Sequence, residues 1–498
     1  MVQNKTLSPA EILGRKMDER VLRVLDIAHN LGADYADARL ITKEFEEIET
    51  KGLEVSAINR GRSEGIGIRI LVKGGWGFAS TSDLSKDSIE MAARRAAAVA
   101  RASSGIMKNP VKLAPEPVYD CFWESPYKID PFKVSLEDKI AVLTESAKTI
   151  LSVKGVSLAM GHLAFVKEMK EFASTEGSRI TQLLIRSGCG IEANATSDTE
   201  RQRRSYPKHV GQYELAGYEM VQKWDLPGNA QRIAEEAVAL LDAPQCPQGH
   251  TDVILGSSQL GLQIHESCGH PSELDRALGQ EINFAGASFL TPEKLGKLQY
   301  GSHKVNLVAD ATAPGALGSF GYDDEGVQAQ KVYLVKNGLF TGYLSSRDTA
   351  NLIGLARSGG CMRANSWGYA PIIRMTNISV EPGNDGNLES LIADTKDGIY
   401  METNKSWSID SMRYNFQFST EIGWEIKDGK RGRVLKNPSY SGITPEFWNS
   451  CDAICDASEF VYWGEPNCGK GQPMQLMWTG HGASPARFKN VQVGIARK

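Results

Sequence analysis

Apolar side chains at Met17, Val21, Leu25, Ala28 and Leu31 recur at helical spacing and predict a helix that Gly32 closes. The pattern then turns strand-like. Gly65 to Val72 reads as one strand, Lys73-Gly74-Gly75 as a turn, and Trp76 to Ala79 as its partner. Gly65-Ile66-Gly67 precedes a strand rather than a helix, which removes a phosphate-binding reading of those glycines. Ser85 can cap a helix running to about Ala102 with an alanine-rich face. A second helix opens at Ser135, with Glu137 and Asp138 in its first turn. Residues from about Ser157 to Thr196 predict an amphipathic strand meander, and Asn229 to Asp242 a further helix.

Two prolines and a glycine between Ala243 and His250 make the best candidate boundary in the chain. Beyond it comes a short strand, Asp252 to Leu255, and then β signals dominate. Lys331–Lys336 and Leu339–Leu344 flank Asn337-Gly338; Glu421–Ile426 and Arg431–Leu435 flank Asp428-Gly429. Both sets read as hairpins with type I′ turns. The expectation is an α+β chain of two domains. Residues 1–243 would form a mixed α/β domain. Residues 251–498 would form a β-rich domain, barrel- or sandwich-like, holding one long catalytic helix.

Composition narrows the class. The chain has 498 residues, 41% hydrophobic and 23% charged, as in a soluble globular protein. A net charge of −4 and a pI near 6.1 argue against a nucleic-acid or anionic-membrane surface. The longest basic cluster, Arg201-Gln202-Arg203-Arg204, reads as a solvated face. Eight cysteines without framework spacing suggest reduced thiols. The polar stretch Met1–Arg20 has no apolar signal core, so a cytoplasmic location is expected.

The chemistry concentrates in His265-Glu266-Ser267-Cys268-Gly269-His270, followed by Pro271. Two imidazoles can hold a zinc ion, and a carboxylate beside them can take a proton from its water. The spacing is one residue longer than H-E-x-x-H. On a regular helix the second ring would sit about 140° round from the first, at roughly 100° per residue. Gly269 and Pro271 favour a π-type turn or an unwound end that would reunite the rings. A catalytic zinc needs a third protein ligand and an open position. Cys468, in the Gly/Pro-punctuated stretch Pro466 to Pro473, is the best local candidate, with Lys470 placed to keep it ionised. Cys268 reads as a packing residue, and Cys451 and Cys455 as buried thiols. His303 and His481 remain open as ligands or oxyanion donors. Asp323, Asp324 and Glu325 read as turn chemistry, with recognition of a peptide N-terminus as the alternative.

These segments together resemble the TldD/PmbA family, peptidases once described as modulators of DNA gyrase. The likeness runs through Gly75-Trp76-Gly77-Phe78-Ala79-Ser80-Thr81, the H-E-x-x-x-H and Tyr322-Asp323-Asp324-Glu325-Gly326. It continues in Arg374-Met375-Thr376-Asn377 and Cys468-Gly469-Lys470-Gly471-Gln472. The resemblance implies the metal-bearing type of subunit. It puts zinc on His265, His270 and a late cysteine, Cys468 with Cys451 and Cys455 nearby, and makes Glu266 the general base. It further implies hydrolysis of unstructured peptides or peptide precursors, and pairing as a homodimer or with a sister subunit. Two other readings stay open. One is a non-enzymatic regulatory protein whose zinc is closed by Cys268 or His481; the other is a cysteine hydrolase using Cys468.

Overall fold

The computed structural model describes residues 17–281, 286–471 and 473–494. Most of the stretch Met1–Arg20 and the residue Gln472 therefore lie outside the described residues. Four long strands dominate the first half: β1 (Tyr35–Lys51), β2 (Glu54–Val72), β5 (Val156–Ser174) and β6 (Arg179–Thr196). With β3 (Gly75–Thr81), β4 (Asp120–Glu124), β7 (Arg201–Tyr206) and β8 (Gln212–Glu214) they make an eight-stranded sheet. The path is β3-β2-β1-β5-β6-β4, with β7 and β8 also on β6. Only β4 runs parallel to its neighbour.

Helices cover the sheet in two places. α1 (Glu19–Asn30) and α2 (Lys86–Ser104) bury Val21, Val24, Ala93, Ala96 and Ala100 against Ile66, Ile68 and Ile70. α3 (Leu136–Ser152) and α5 (Leu226–Asp242) bury Leu143, Ile150, Ile233 and Ala237 against Leu163, Phe165 and Ile191; the short α4 (Glu219–Trp224) precedes α5. Ser85 and Ser135 cap α2 and α3 as their positions suggested. The Gly-Trp-Gly signature has a steric origin. A Cβ on Gly77 would lie 2.0 Å from the carbonyl oxygen of Ala96, so α2 can rest on β3 only over glycine.

Residues 243–248 lead from α5 into β9 (Gly249–Leu255), which passes into α6 (Ser257–Ile264). Later strands follow: β10 (Leu307–Asp310), β11 (Lys331–Lys336), β12 (Leu339–Phe340), β13 (Met362–Arg363), β14 (Ile372–Ile373) and β15 (Ile378–Val380). The chain ends in β16 (Asp397–Ile409), β17 (Asn415–Lys427), β18 (Lys430–Lys436), β19 (Ser439–Ile443), β20 (Cys451–Ile454), β21 (Val461–Lys470), β22 (Gln475–Ala483) and β23 (Ala486–Val493). Pairing runs β16-β9-β23-β19-β17 and returns from β17 to β16, closing a five-stranded barrel. The α+β expectation with a barrel holds. The two hairpin turns have positive φ at both central residues, Asn337-Gly338 and Asp428-Gly429, although the β12 strand is only two residues long.

The barrel core carries stacked rings, with Phe447 and Phe488 at 4.0 Å, and continues through Leu260, Ile264 and Cys268 to Leu334 and Val335. Buried ion pairs join it to the first sheet. Arg69 bridges Asp37 and Glu325, and Lys170 binds Asp324 at 2.7 Å. Arg204 reaches Glu236, Glu402 and Glu421. The Arg201–Arg204 cluster is thus no solvated face at its end: Arg204 is buried across the junction, where three carboxylates offset its desolvation. Asp323, Asp324 and Glu325 likewise do more than form a turn.

The close seat of α2 makes a stability prediction. Gly77→Ala should cost about 1–3 kcal/mol, the range for overpacking, read as a lowered urea midpoint; an unchanged midpoint would show that α2 does not rest on this glycine.

Candidate metal centre

α6 ends at Ile264, and the next five residues, His265–Gly269, form a π turn in which His270 N–H donates to the His265 carbonyl. The i+5 bond places His270 over His265, which answers the odd spacing. Their ring centroids lie 4.8 Å apart, and a short 3₁₀ turn, His270–Ser272, carries Pro271 onward. Neighbours hold the widened turn open. Tyr300 OH donates to the Ser267 carbonyl, Trp448 Nε1 to Ser267 Oγ, and Met375 packs where a Gly269 Cβ would be. The helix is shorter than the long one expected, because the turn interrupts it after eight residues.

β21 returns Cys468 to this point. His265, His270 and Cys468 are buried and can bring one donor atom each within 4.8 Å of one another. Cys468 Sγ stands 3.7 Å from His270 Nε2. Two tetrahedral zinc ligands, at about 2.3 Å for sulfur and about 2.0 Å for nitrogen, would stand about 3.5 Å apart. Cys468 sits on a strand beside a bulge rather than on a loop, and the bulge between Glu465 and Cys468 aims it.

Hydrogen bonds set the tautomer of each ring. His481 Nδ1 faces the Ile378 carbonyl at 3.2 Å, so it carries the proton. His481 Nε2 then accepts from His265 Nδ1 at 2.7 Å, which leaves His265 Nε2 bare. Burial drives both His265 and His481 below the usual imidazole range, keeping them neutral. His270 Nδ1 meets Glu273 Oε2 at 3.0 Å, and Arg276 and Lys470 hold that carboxylate ionised against burial. His270 Nε2 is therefore the free donor. Burial opposes ionisation of Cys468, yet Arg374 and His270 prevail and lower its thiol. Lys470 was expected in that role, but it binds Asp275 at 2.7 Å, while Arg374 donates to the Cys468 carbonyl at 2.5 Å. Two imidazoles that each turn Nε2 inward and an acidified thiol suit a borderline-soft cation such as zinc.

Glu266 lies inside the π turn but outside the donor set. Burial would raise it; His265, His270 and Arg413 together bring it below the ordinary carboxylate range, and Arg413 Nη1 binds its Oε2. A cleft lined by Leu262, Trp407, Trp463 and His481 adjoins the centre. The other candidates lie elsewhere. Cys268 is buried beside Tyr300, and burial lifts its thiol. Cys451 is buried, and Cys455, also lifted by burial, reaches about 12. His303 is exposed. The pattern of residue types gave no role to Glu273, Arg374 or Arg413, although Arg374 opens one of the segments that carry the resemblance. Only Glu273 had a local signal, three residues beyond His270.

A buried His-His-Cys centre beside an ionised glutamate is the arrangement of a metallopeptidase, and similarity to known proteins agrees. Residues 248–494 match the PmbA/TldA metallopeptidase C-terminal domain, and residues 36–100 match PmbA/TldA metallopeptidase domain 1. A metalloprotease of Methanocaldococcus jannaschii is 30% identical over 88% of this chain and 92% of its own length. A metalloprotease TldD homolog of Haemophilus influenzae is 26% identical over 99% and 98%. A zinc metalloprotease TldD homolog of Saccharolobus solfataricus is 24% identical over 94% and 98%. In fold, the chain is similar to TldE from Thermococcus kodakarensis, with a TM-score of 0.70, 16% identity and coverage of 96% and 100%. It is also similar to a putative modulator of a DNA gyrase from Thermotoga maritima, with a TM-score of 0.75, 17% identity and coverage of 96% and 99%. The chain belongs to the TldD/PmbA family of metallopeptidases.

The residues behind the donors should matter to metal retention. Glu273→Gln or His481→Phe is expected to weaken metal binding about 10–100-fold in competition with a chromogenic chelator; wild-type affinity in both would deny them any part in orienting the rings.

Proposed function

We propose that the protein is a zinc-dependent peptidase acting on unfolded peptides or peptide precursors, with His265, His270 and Cys468 as ligands and Glu266 as general base. One observation carries this reading. Among the described residues, three donors converge and no fourth His, Cys, Asp or Glu joins them, as in a catalytic site with an open position. The two candidates for closing a structural site are otherwise engaged. His481 Nε2 accepts from His265, and Cys268 lies in the core beside Tyr300.

When bound, zinc supplies Lewis acidity to the scissile carbonyl and to its water. Glu266 is ionised and takes the proton of the attacking water, then returns it to the leaving amine. Arg413 pairs with the Glu266 carboxylate and helps to hold it ionised. Glu273 and His481 keep the two imidazoles in the tautomer that exposes a bare Nε2. A thiolate donates more charge than a third imidazole, so turnover should be modest, in keeping with a processing enzyme. The aromatic walls Trp407 and Trp463 give the cleft a surface for an extended chain without a demand for one side chain.

Pairing with a second copy or a sister subunit belongs to the same proposal, supported by the family to which the chain belongs. So does a cytoplasmic location without a nucleic-acid or membrane partner, for which the net charge of −4 speaks. Among the described residues, no helix is long and apolar enough to cross a membrane.

Two substitutions separate binding from chemistry. Glu266→Ala should keep zinc at the wild-type stoichiometry and lose peptide cleavage at least about 100-fold, the lower range for a general base; cleavage near the wild-type rate would remove Glu266 from the role. Cys468→Ser should lose zinc by elemental analysis, and full occupancy would move the third ligand elsewhere.

A further inference from the structure

A second, narrow pocket opens where the first sheet meets the C-terminal half. Lys43 of β1, Lys170 of β5 and Arg186 of β6 line it together with Arg363 and Trp478. Its charges do not balance. Lys170 is matched by Asp324 at 2.7 Å, and both oxygens of Asp323 accept backbone N–H groups from Glu325, Val327 and Met362. Lys43, Arg186 and Arg363 are left facing Glu168. The Glu168 carboxylate stands 3.8 Å from Arg186 and 3.7 Å from Lys170, too far for hydrogen bonds.

Arg186 is the telling residue. It is 5% exposed, and its Nε is buried without a hydrogen-bond partner. The guanidinium lies over the Trp478 ring at 5.6 Å. Arg363 commits Nη1 to the carbonyls of Met375 and Trp478. Burial, with Arg186 and Arg374 alongside, pulls Arg363 down to about 9, and burial lowers Lys43 as well. Lys43, Arg186 and Arg363 thus share one carboxylate, Glu168, among three cations, which leaves the pocket with an excess of positive charge.

We propose that this pocket binds a carboxylate of the peptide substrate, either an acidic side chain or a free C-terminus, with Arg186 as its direct partner. The proposal rests on the peptidase reading of the metal centre. A planar guanidinium backed by an aromatic face is suited to a carboxylate. The pocket is also close to the chemistry. Met477 lines it and pairs across the ladder with Cys468, so one strand separates the pocket from a metal donor.

The test uses matched peptides that differ by Glu or Gln at one position, each made with a free-acid and an amidated C-terminus. Cleavage is followed with wild type, Arg186→Gln and Arg186→Lys, and binding by calorimetry on Glu266→Gln with and without Arg186→Gln. Wild type should prefer one carboxylate form about tenfold or more in kcat/KM, from a charge-assisted hydrogen bond. Arg186→Gln should collapse that ratio toward one, and Arg186→Lys should keep part of it. A preference for Glu over Gln identifies a side chain as the ligand; a preference for acid over amide identifies the C-terminus. Equal kcat/KM for all forms with wild type, or a ratio unchanged in Arg186→Gln, overturns the pocket. If wild type cuts nothing, calorimetry decides separately. Carboxylate-dependent binding lost with Arg186 would uphold the pocket while the peptidase reading falls, and indifferent binding would overturn the pocket too.

Discussion

One hydrogen bond across five residues organises the metal centre: His270 N–H to the His265 carbonyl. A regular helix would have turned the two imidazoles apart by about 140°. The widened turn is held from outside, by Tyr300 and Trp448 on Ser267 and by Met375 filling the space over Gly269. Ser267, Cys268 and Gly269 are therefore packing and backbone residues whose identity serves the rings on either side. The barrel strand β9 sets where the helix begins, and β21, hydrogen-bonded to β22, sets where Cys468 returns. A ligand set drawn from two distant parts of the chain couples metal binding to completion of the fold.

The charges around this turn form one connected system. Glu273 holds His270 and is itself held by Arg276 and Lys470, while Arg374 faces it and ties the Cys468 strand. None of these groups could be buried alone, because an unpaired charge in the interior costs several kcal/mol. The same logic operates at the junction with the first sheet, through Arg69, Lys170 and Arg204. Removing one partner leaves the other stranded, so these pairs fix how the first sheet sits against the barrel and the metal centre.

Much of this was legible in the sequence, for reasons that can be stated residue by residue. Periodicity located the helices capped by Ser85 and Ser135, and turn chemistry located both hairpins, because these depend on local backbone preference. The H-E-x-x-x-H spacing, with Gly269 and Pro271, allowed a π turn or an unwound end, and the chain takes the π turn. Long-range partners were illegible. Nothing near His481 marks it as the residue that sets the His265 tautomer, since the two are 216 positions apart. Lys470 was assigned to the wrong partner because it shares a face of β21 with Cys468, while the carboxylate that takes it, Asp275, is 195 positions away in the chain. Pro466 and Gly469 suggested a loop around Cys468, but the ladder with β22 absorbs them through a bulge. Arg204 read as surface because charge in sequence says nothing of the three carboxylates brought to it by the fold.

The proposed activity depends on a zinc ion held by two imidazoles and one thiolate with a position open to water. X-ray absorption at the zinc edge of the purified protein tests it most directly. The expected shell holds two nitrogen scatterers at about 2.0–2.1 Å, one sulfur at about 2.3 Å and one exchangeable light atom. A shell with two or more sulfurs, or four protein donors and no exchangeable ligand, would contradict it and return the centre to a structural role.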